Sequence, residues 1–452
     1  MSFSKSFLWG AAAASYQIEG AAYEDGKGLS IWDAFCKESG RIKNGDTGDV
    51  ACDHYHRYKD DIALMSEIGL QAYRFSISWP RVIPQGMGVV NEKGLDFYDR
   101  LVDELLSKNI KSCATLYHWD FPQALQERGG WQAEESPEWF ADYADLMGRR
   151  LGDRVSCWFT FNEMPVTVNV ASRLGLHAPG LNLGAGDALA LLKNLQLAHG
   201  RGVQTLRAVL PAGAQIGLAH CGHVCMPQSE LPDDIEIARK AMFEMPDFFL
   251  DTNAHSLFLD PVLLGKPAAW AEEFFGTEAP LFTDEELKLI SQPIDFLGLN
   301  LYQGEQVVAG PEGCPVPDPS WKPIGRTNFG WNVTPEILYW ASRFFYERYG
   351  KPIMITENGM SSHDWVALDG RVHDGARVDF LHRYLRELRR AAGEGIPVLG
   401  YLTWSIMDNF EWAEGYSQRF GLIHVDYETQ VRTLKDSALW YKEVIAANGE
   451  NL

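Results

Sequence analysis

Two glutamates in this chain stand where an apolar run gives out, each beside an asparagine. Phe159-Thr160-Phe161 leads into Asn162-Glu163, and Ile353-Met354-Ile355-Thr356 leads into Glu357-Asn358-Gly359. Glu357 alone reads as an ordinary strand end meeting solvent, because Asn358-Gly359 turns well. Other apolar runs, however, end in the same kind of chemistry. The first leads to Gln17, another closes in Tyr117-His118-Trp119-Asp120, and a third in Asn300-Leu301-Tyr302. The last ends in Thr403-Trp404-Ser405 and continues through Asp408-Asn409-Phe410-Glu411-Trp412. Paired carboxylates among amides, a histidine and indoles suit cleavage of an acetal, the glycosidic bond. One carboxyl must protonate the leaving oxygen while the other attacks the sugar or activates water. Sugar hydroxyls want amide, imidazole and carboxylate partners, and the apolar C–H face of the ring wants tryptophan.

Rigid elements must bring these positions together. Short apolar or β-branched runs at 7–14, 70–79, 111–117, 155–161, 214–219, 294–300, 352–356 and 397–405 read as strands. Helical patterns lie between them at 55–68, 94–108, 137–151, 186–209, 334–349 and 373–393. Strands alternating with helices predict an α/β fold, a single (β/α)8 barrel spanning residues 1–452. A minimal barrel needs ~250 residues. The remainder falls in loops after strands, at 14–54, 161–186, 220–260 and 301–331, which would build a deep pocket at the C-terminal face. A doubly wound sheet is the main alternative, but no Gly-x-Gly-x-x-Gly turn follows an early strand.

In Tyr73-Arg74-Phe75-Ser76-Ile77-Ser78-Trp79 large apolar residues alternate with Arg and Ser. One face packs under helices and the other points into the barrel. An inward Arg74 requires an anion beside it, since an unpaired buried charge is very costly. The two carboxylates need different protonation states at neutral pH, hence different surroundings. Glu357 beside Arg74 would stay ionised and act as nucleophile. Glu163, with no cationic neighbour in sequence, is the better proton donor.

Composition narrows the partners. The 452 residues are 46% apolar with 15 Trp and a net charge of −21, which disfavours nucleic acid and anionic membrane surfaces. No run reaches the ~18–20 apolar residues of a membrane span, and the N-terminus lacks the apolar stretch of a secretory signal. Seven scattered cysteines fit free thiols in a cytoplasmic setting. His220-Cys221-Gly222-His223-Val224-Cys225 matches no standard zinc spacing, so no metal and no cofactor is expected. Self-association stays open.

The chain resembles glycoside hydrolase family 1, the β-glucosidase family, from Phe7-Leu8-Trp9-Gly10 to Lys435-Asp436-Ser437-Ala438-Leu439-Trp440. The motifs are Tyr16-Gln17-Ile18-Glu19-Gly20, Arg74-Phe75-Ser76-Ile77-Ser78-Trp79-Pro80-Arg81, Tyr117-His118-Trp119-Asp120, Thr160-Phe161-Asn162-Glu163, His177-Ala178-Pro179-Gly180, Thr356-Glu357-Asn358-Gly359 and Asp408 through Tyr416. The resemblance implies a (β/α)8 barrel and double-displacement hydrolysis of neutral β-glycosides with retention, Glu357 being nucleophile and Glu163 acid/base. It also implies that Gln17, His118, Asn162, Glu411 and Trp412 hold sugar hydroxyls. Trp404 forms the floor, Trp119 and Phe420 belong to the substrate shell, and Arg74, Asn300 and Tyr302 support the nucleophile. The family usually shows a proline after its acid/base, and in many members an aromatic follows it. This chain has Met164-Pro165, so an aromatic platform for the leaving group is expected from another loop indole such as Trp331. Two alternatives compete with this reading. A 6-phospho-β-glycosidase would want Lys, Arg or Ser where Glu411 and Trp412 stand. A non-hydrolysing sugar-binding protein would have lost one carboxylate.

Overall fold

In a computed structural model the described residues are 3–452. Eight parallel strands close into a barrel: β1 Leu8–Ala12, β2 Ala72–Ser76, β3 Lys111–Tyr117, β4 Cys157–Asn162, β5 Gln215–His220, β6 Phe296–Asn300, β7 Ile353–Glu357 and β8 Val398–Trp404. They are hydrogen-bonded in chain order, with β8 returning to β1. All eight coincide with sequence-predicted runs. β2 stops at Ser76, short of the expected 79, because Pro80 cannot donate to a ladder and opens the helix Trp79–Val82.

Alternation divides the core in two. Ala72, Cys113, Phe159, Ala219, Phe296, Met354 and Leu402 fill the barrel interior. The opposite strand faces pack under helices, as Tyr73 and Phe75 do on β2. The helix His54–Ile68 buries Tyr58, Ile62, Met65 and Ile68, the stripe its sequence predicts, and ends on Gly69 in a left-handed conformation. Sequence periodicity missed His255–Leu264, where HSLFLDPVLL is apolar nearly all round and has no polar face to mark a period. It also missed Pro232–Phe243 and Asp436–Ala446.

The long loops are partly ordered by extra sheet. Val224–Pro227, Gly304–Ala309 and Pro315–Pro317 form a three-stranded sheet beside the barrel mouth. Within the motif singled out for its Cys and His residues, His220 bonds His255 at 2.8 Å and His223 bonds Glu305 at 2.8 Å. These side chains tie that sheet and its loops to the barrel. No described helix is long and apolar enough to cross a membrane.

Candidate active site

Both candidate glutamates follow a break in strand register. On β7, Met354 faces the barrel interior, so strict alternation would send Glu357 outward. The β6–β7 ladder shifts between Ile355 and Glu357, which then pairs with Asn300. On β4, Phe159 faces inward and alternation would turn Asn162 away. The β4–β5 ladder shifts between Phe159 and Asn162, and the Glu163 N–H bonds the Ala219 carbonyl at 2.8 Å. Such irregularities re-aim side chains, and here they turn both carboxylates into one cavity. Glu163 (φ 47°), Trp119 (φ 75°) and Trp412 (φ 51°) also hold left-handed backbone that costs a non-glycine residue energy. All three line the same cavity. Gly359 is required by proximity rather than by turning: a Cβ there would lie 1.9 Å from the Trp404 carbonyl oxygen.

The cavity has a volume of about 710 Å³. Its wall includes His118, Trp119, Glu163, Asn300, Tyr302, Glu357, Trp404, Glu411, Trp412 and Phe420. Gln17, Arg74 and Asn162 are buried beside that wall and bonded to Glu411, Glu357 and His118. Trp331 joins the wall and stacks on Phe329 at 4.4 Å, the indole expected on the leaving-group side. Met164 is buried away from the cavity, while Pro165 and Val166 line it.

The two carboxylates have unlike surroundings. Arg74 Nη1 donates to Glu357 Oε1 at 2.5 Å, and the Tyr302 hydroxyl donates to Oε2 at 2.7 Å. Arg74 is only 1% exposed, and its other groups donate to Asn162 Oδ1 at 2.6 Å and Thr115 Oγ1 at 3.1 Å. Glu163 receives an Asn300 Nδ2 hydrogen bond at 2.7 Å, with no cation in contact. Burial first, then the charge of Glu357, pushes the Glu163 carboxyl up to about 8. Burial raises Glu357 too, but Arg74 and Tyr302 oppose it by stabilising the carboxylate. The proton of the pair therefore belongs on Glu163. Glu411 is pushed up to about 8, by burial and then by Glu357.

The amide network also fixes a tautomer. Asn162 Oδ1 accepts from Arg74 and Asn300, so its Nδ2 must face outward, 3.1 Å from His118 Nε2. Burial, with Arg74 second, holds the His118 imidazole neutral. Its Nε2 therefore accepts and its Nδ1–H is left to donate to a ligand. Gln17 Nε2 donates to Glu411 Oε2 at 3.2 Å and to the Phe410 carbonyl at 2.8 Å. The loop carrying Glu411 is anchored below by Asp408, which accepts from Lys435 at 2.6 Å and Arg419 at 2.6 Å.

Sequence reasoning missed several wall residues. Cys221, which the sequence offers only as part of a Cys and His run, lines the cavity. His177, in His177-Ala178-Pro179-Gly180, lines the cavity against Trp119 at 5.6 Å, a place its sequence does not mark. Val170, Leu174, Leu176 and Phe249 come from loops whose apolar residues have no period to set them apart.

The raised carboxyls make a stability prediction. Glu163 and Glu411 hold their protons to about 8 when folded, against an ordinary 4.5. Their stabilising contribution is full below the unfolded value and is lost as pH rises through the folded one. Glu163→Gln and Glu411→Gln should therefore raise Tm more at pH 8 than at pH 4.5, in paired thermal melts. An equal effect at both pH values would remove the assignment of raised pKa values.

A barrel with two unlike, buried carboxylates at its C-terminal mouth, ringed by hydrogen-bonding groups and indoles, is built as a glycosidase. The chain belongs to glycosyl hydrolase family 1, whose family model matches residues 1–450. It is 44% identical over 448 residues to β-glucosidase A of Thermotoga maritima, covering 99% of this chain and 98% of that protein. It is 42% identical over 474 residues to a bifunctional β-D-glucosidase/β-D-fucosidase of Bifidobacterium breve, covering 99% and 98%. The β-glucosidase of Thermotoga maritima in complex with glucoimidazole has the same fold, with a TM-score of 0.90 at 44% identity over 99% of each chain.

Proposed function

We propose that this chain is a retaining, exo-acting β-glucosidase acting as one catalytic barrel. It would release terminal β-D-glucosyl residues from β-glucosides and short oligosaccharides, with β-D-fucosyl and β-D-galactosyl as further glycons. The unequal surroundings of Glu163 and Glu357 at one cavity carry this reading. Glu357, oriented by Arg74 and Tyr302, attacks the anomeric carbon, while protonated Glu163 gives its proton to the leaving oxygen. The resulting glycosyl-Glu357 ester is then hydrolysed by water that the Glu163 carboxylate deprotonates. His118, Asn162, Gln17, Glu411 and Trp412 serve the hydroxyls, with Trp404 as floor. Free cysteines throughout fit a reducing cytoplasm.

Proton NMR of nitrophenyl β-glucoside hydrolysis tests the stereochemistry. The β-anomer of glucose should form first, and the carboxyl groups should stand ~5–5.5 Å apart in a crystal structure. Release of the α-anomer first would reverse the mechanism. Since Glu163 must hold a proton, kcat/KM should fall as pH rises through about 8.

The third carboxylate sets a further expectation. Glu411 faces the cavity, and the one Lys or Arg among its described lining residues, Arg41, is already bonded to Glu38 and the Gly175 carbonyl. A phosphate dianion would find no free cation among these residues and would be buried unpaired, which costs several kcal/mol. A neutral β-glucoside should exceed its 6-phosphate in kcat/KM by about 10²-fold or more. Preference for the phosphate would overturn the substrate class.

A further inference from the structure

The loop that carries Glu411 and Trp412 has little regular structure to hold it. Among the described residues between Trp404 and Ile423 the one element is the short turn Trp412–Glu414, and Trp412 sits there on left-handed backbone. A group that recognises a ligand must nevertheless be held within about 0.5 Å of its productive place.

A cluster of six charges braces this loop. Lys435 Nζ donates to Asp408 Oδ1 and to Asp364 Oδ2, each at 2.6 Å. Arg419 closes the loop on itself by donating to Asp408 Oδ2 at 2.6 Å, and the Gly421 N–H donates to Oδ1 at 3.0 Å. Arg377 donates to Asp364 Oδ2 at 2.8 Å and also to Asp374. Three cations thus meet three carboxylates. Apart from Arg419, no side chain of the six is more than 2% exposed.

The cluster joins two loops of the site. Asp364 lies on the segment that leaves β7 after Glu357, while Asp408 and Arg419 lie on the segment that leaves β8. Arg377 Nη2 donates to Ser362 Oγ and to the Arg419 carbonyl, each at 2.8 Å, and the Ser362 N–H donates to the same carbonyl at 3.0 Å. Of the three cations, Lys435 is the one that bonds a carboxylate on each segment. Buried ion clusters are a poor source of stability, because packed apolar side chains of similar volume often serve as well. What charge-assisted hydrogen bonds add is fixed geometry. Here that geometry is imposed at Asp408, three residues before Glu411.

Resting on the reading that Glu411 holds a sugar hydroxyl, we infer that Lys435 is a positioning residue for sugar recognition. It acts through Asp408 and Asp364, setting where Glu411 stands relative to Glu357, and is itself outside the cavity wall.

The test is the inhibition constant, Ki, of D-glucose against hydrolysis of 4-nitrophenyl β-glucoside, which does not depend on how much of a preparation is active. Lys435→Met/Asp364→Asn removes one charge of each sign, so the cluster stays balanced and Asp408 keeps Arg419. Its Ki should rise about fivefold or more. Arg419→Met opens the cluster at its outer side, where Arg419 is 20% exposed, and should raise Ki about twofold or more. Glu411→Ala should raise Ki about tenfold or more. Adding Lys435→Met/Asp364→Asn to Glu411→Ala should then change Ki by about twofold or less, because the group being positioned is gone. An unchanged Ki in whichever cluster variant folds would overturn the positioning role, as would the full further rise in the Glu411→Ala background. Normal glucose inhibition of Glu411→Ala would instead overturn the sugar-binding role of Glu411, and this inference with it.

Discussion

Glu357→Ala and Glu357→Gln should each abolish turnover of every β-glycoside while the fold persists. The carboxylate is held by two donors, Arg74 at 2.5 Å and Tyr302 at 2.7 Å. Without the nucleophile no glycosyl-enzyme forms, and a loss on the order of 10⁴-fold or more is expected, the scale seen when a covalent nucleophile is removed. A nitrophenyl leaving group should not rescue the rate, because the missing step is attack and not protonation. In the wild type, a 2-deoxy-2-fluoro glucoside should trap the ester, adding one fluoroglucosyl group to the intact mass. Peptide mapping should place it on Glu357. A label on Glu163 or Glu411 would end the assignment. The Ala variant leaves Arg74 buried without its partner, which is destabilising. The Gln variant keeps an acceptor for the guanidinium and so separates catalysis from folding.

The barrel was legible because its signal is repeated. Strands 1 to 8 each carry a short apolar run, and no single misjudged boundary alters the count. Arg74 on an alternating strand made an anion beside it a physical necessity, and Glu357 is that anion. Two features lay beyond periodicity. The register shifts before Asn162 and Glu357 reverse the parity that simple alternation assigns, and nothing in FTFNE or MITENG marks the extra residue. The mouth of the cavity is made by loop residues such as Leu176 and Phe249, placed by packing between distant segments. A leucine in a loop has no pattern to declare whether it faces water, core or ligand. The chemistry of the base was readable from residue type at strand ends; the chemistry of the mouth required coordinates.

Glu163→Ala should divide substrates by how much their leaving groups need a proton. Burial and the Glu357 charge keep the Glu163 proton on up to about 8, and Asn300 at 2.7 Å fixes the carboxyl that carries it. A dinitrophenolate departs unaided, so forming the glycosyl-enzyme from it should survive the substitution comparatively well. An alkoxide such as that of an alkyl glucoside cannot depart unprotonated, and its kcat/KM should fall by ~10²–10⁴-fold, the usual worth of general acid catalysis. The same variant lacks the base that activates water in the second step, so the ester should accumulate on good substrates and turnover should become slow. Azide needs no deprotonation and fits the space that the carboxyl vacates. Its addition should raise kcat and yield a β-glucosyl azide, identified by NMR. Glu357→Ala treated in the same way should give no β-azide, since it forms no ester to intercept. Removing the acid also removes one of the two carboxyls raised to about 8, so the fall of kcat/KM on the alkaline side should shrink for dinitrophenyl glucoside to what Glu411 contributes. Equal losses on good and poor leaving groups, with no azide product, would strip Glu163 of the acid/base role. Glu411, the other cavity carboxyl that burial raises, would then be the next to test.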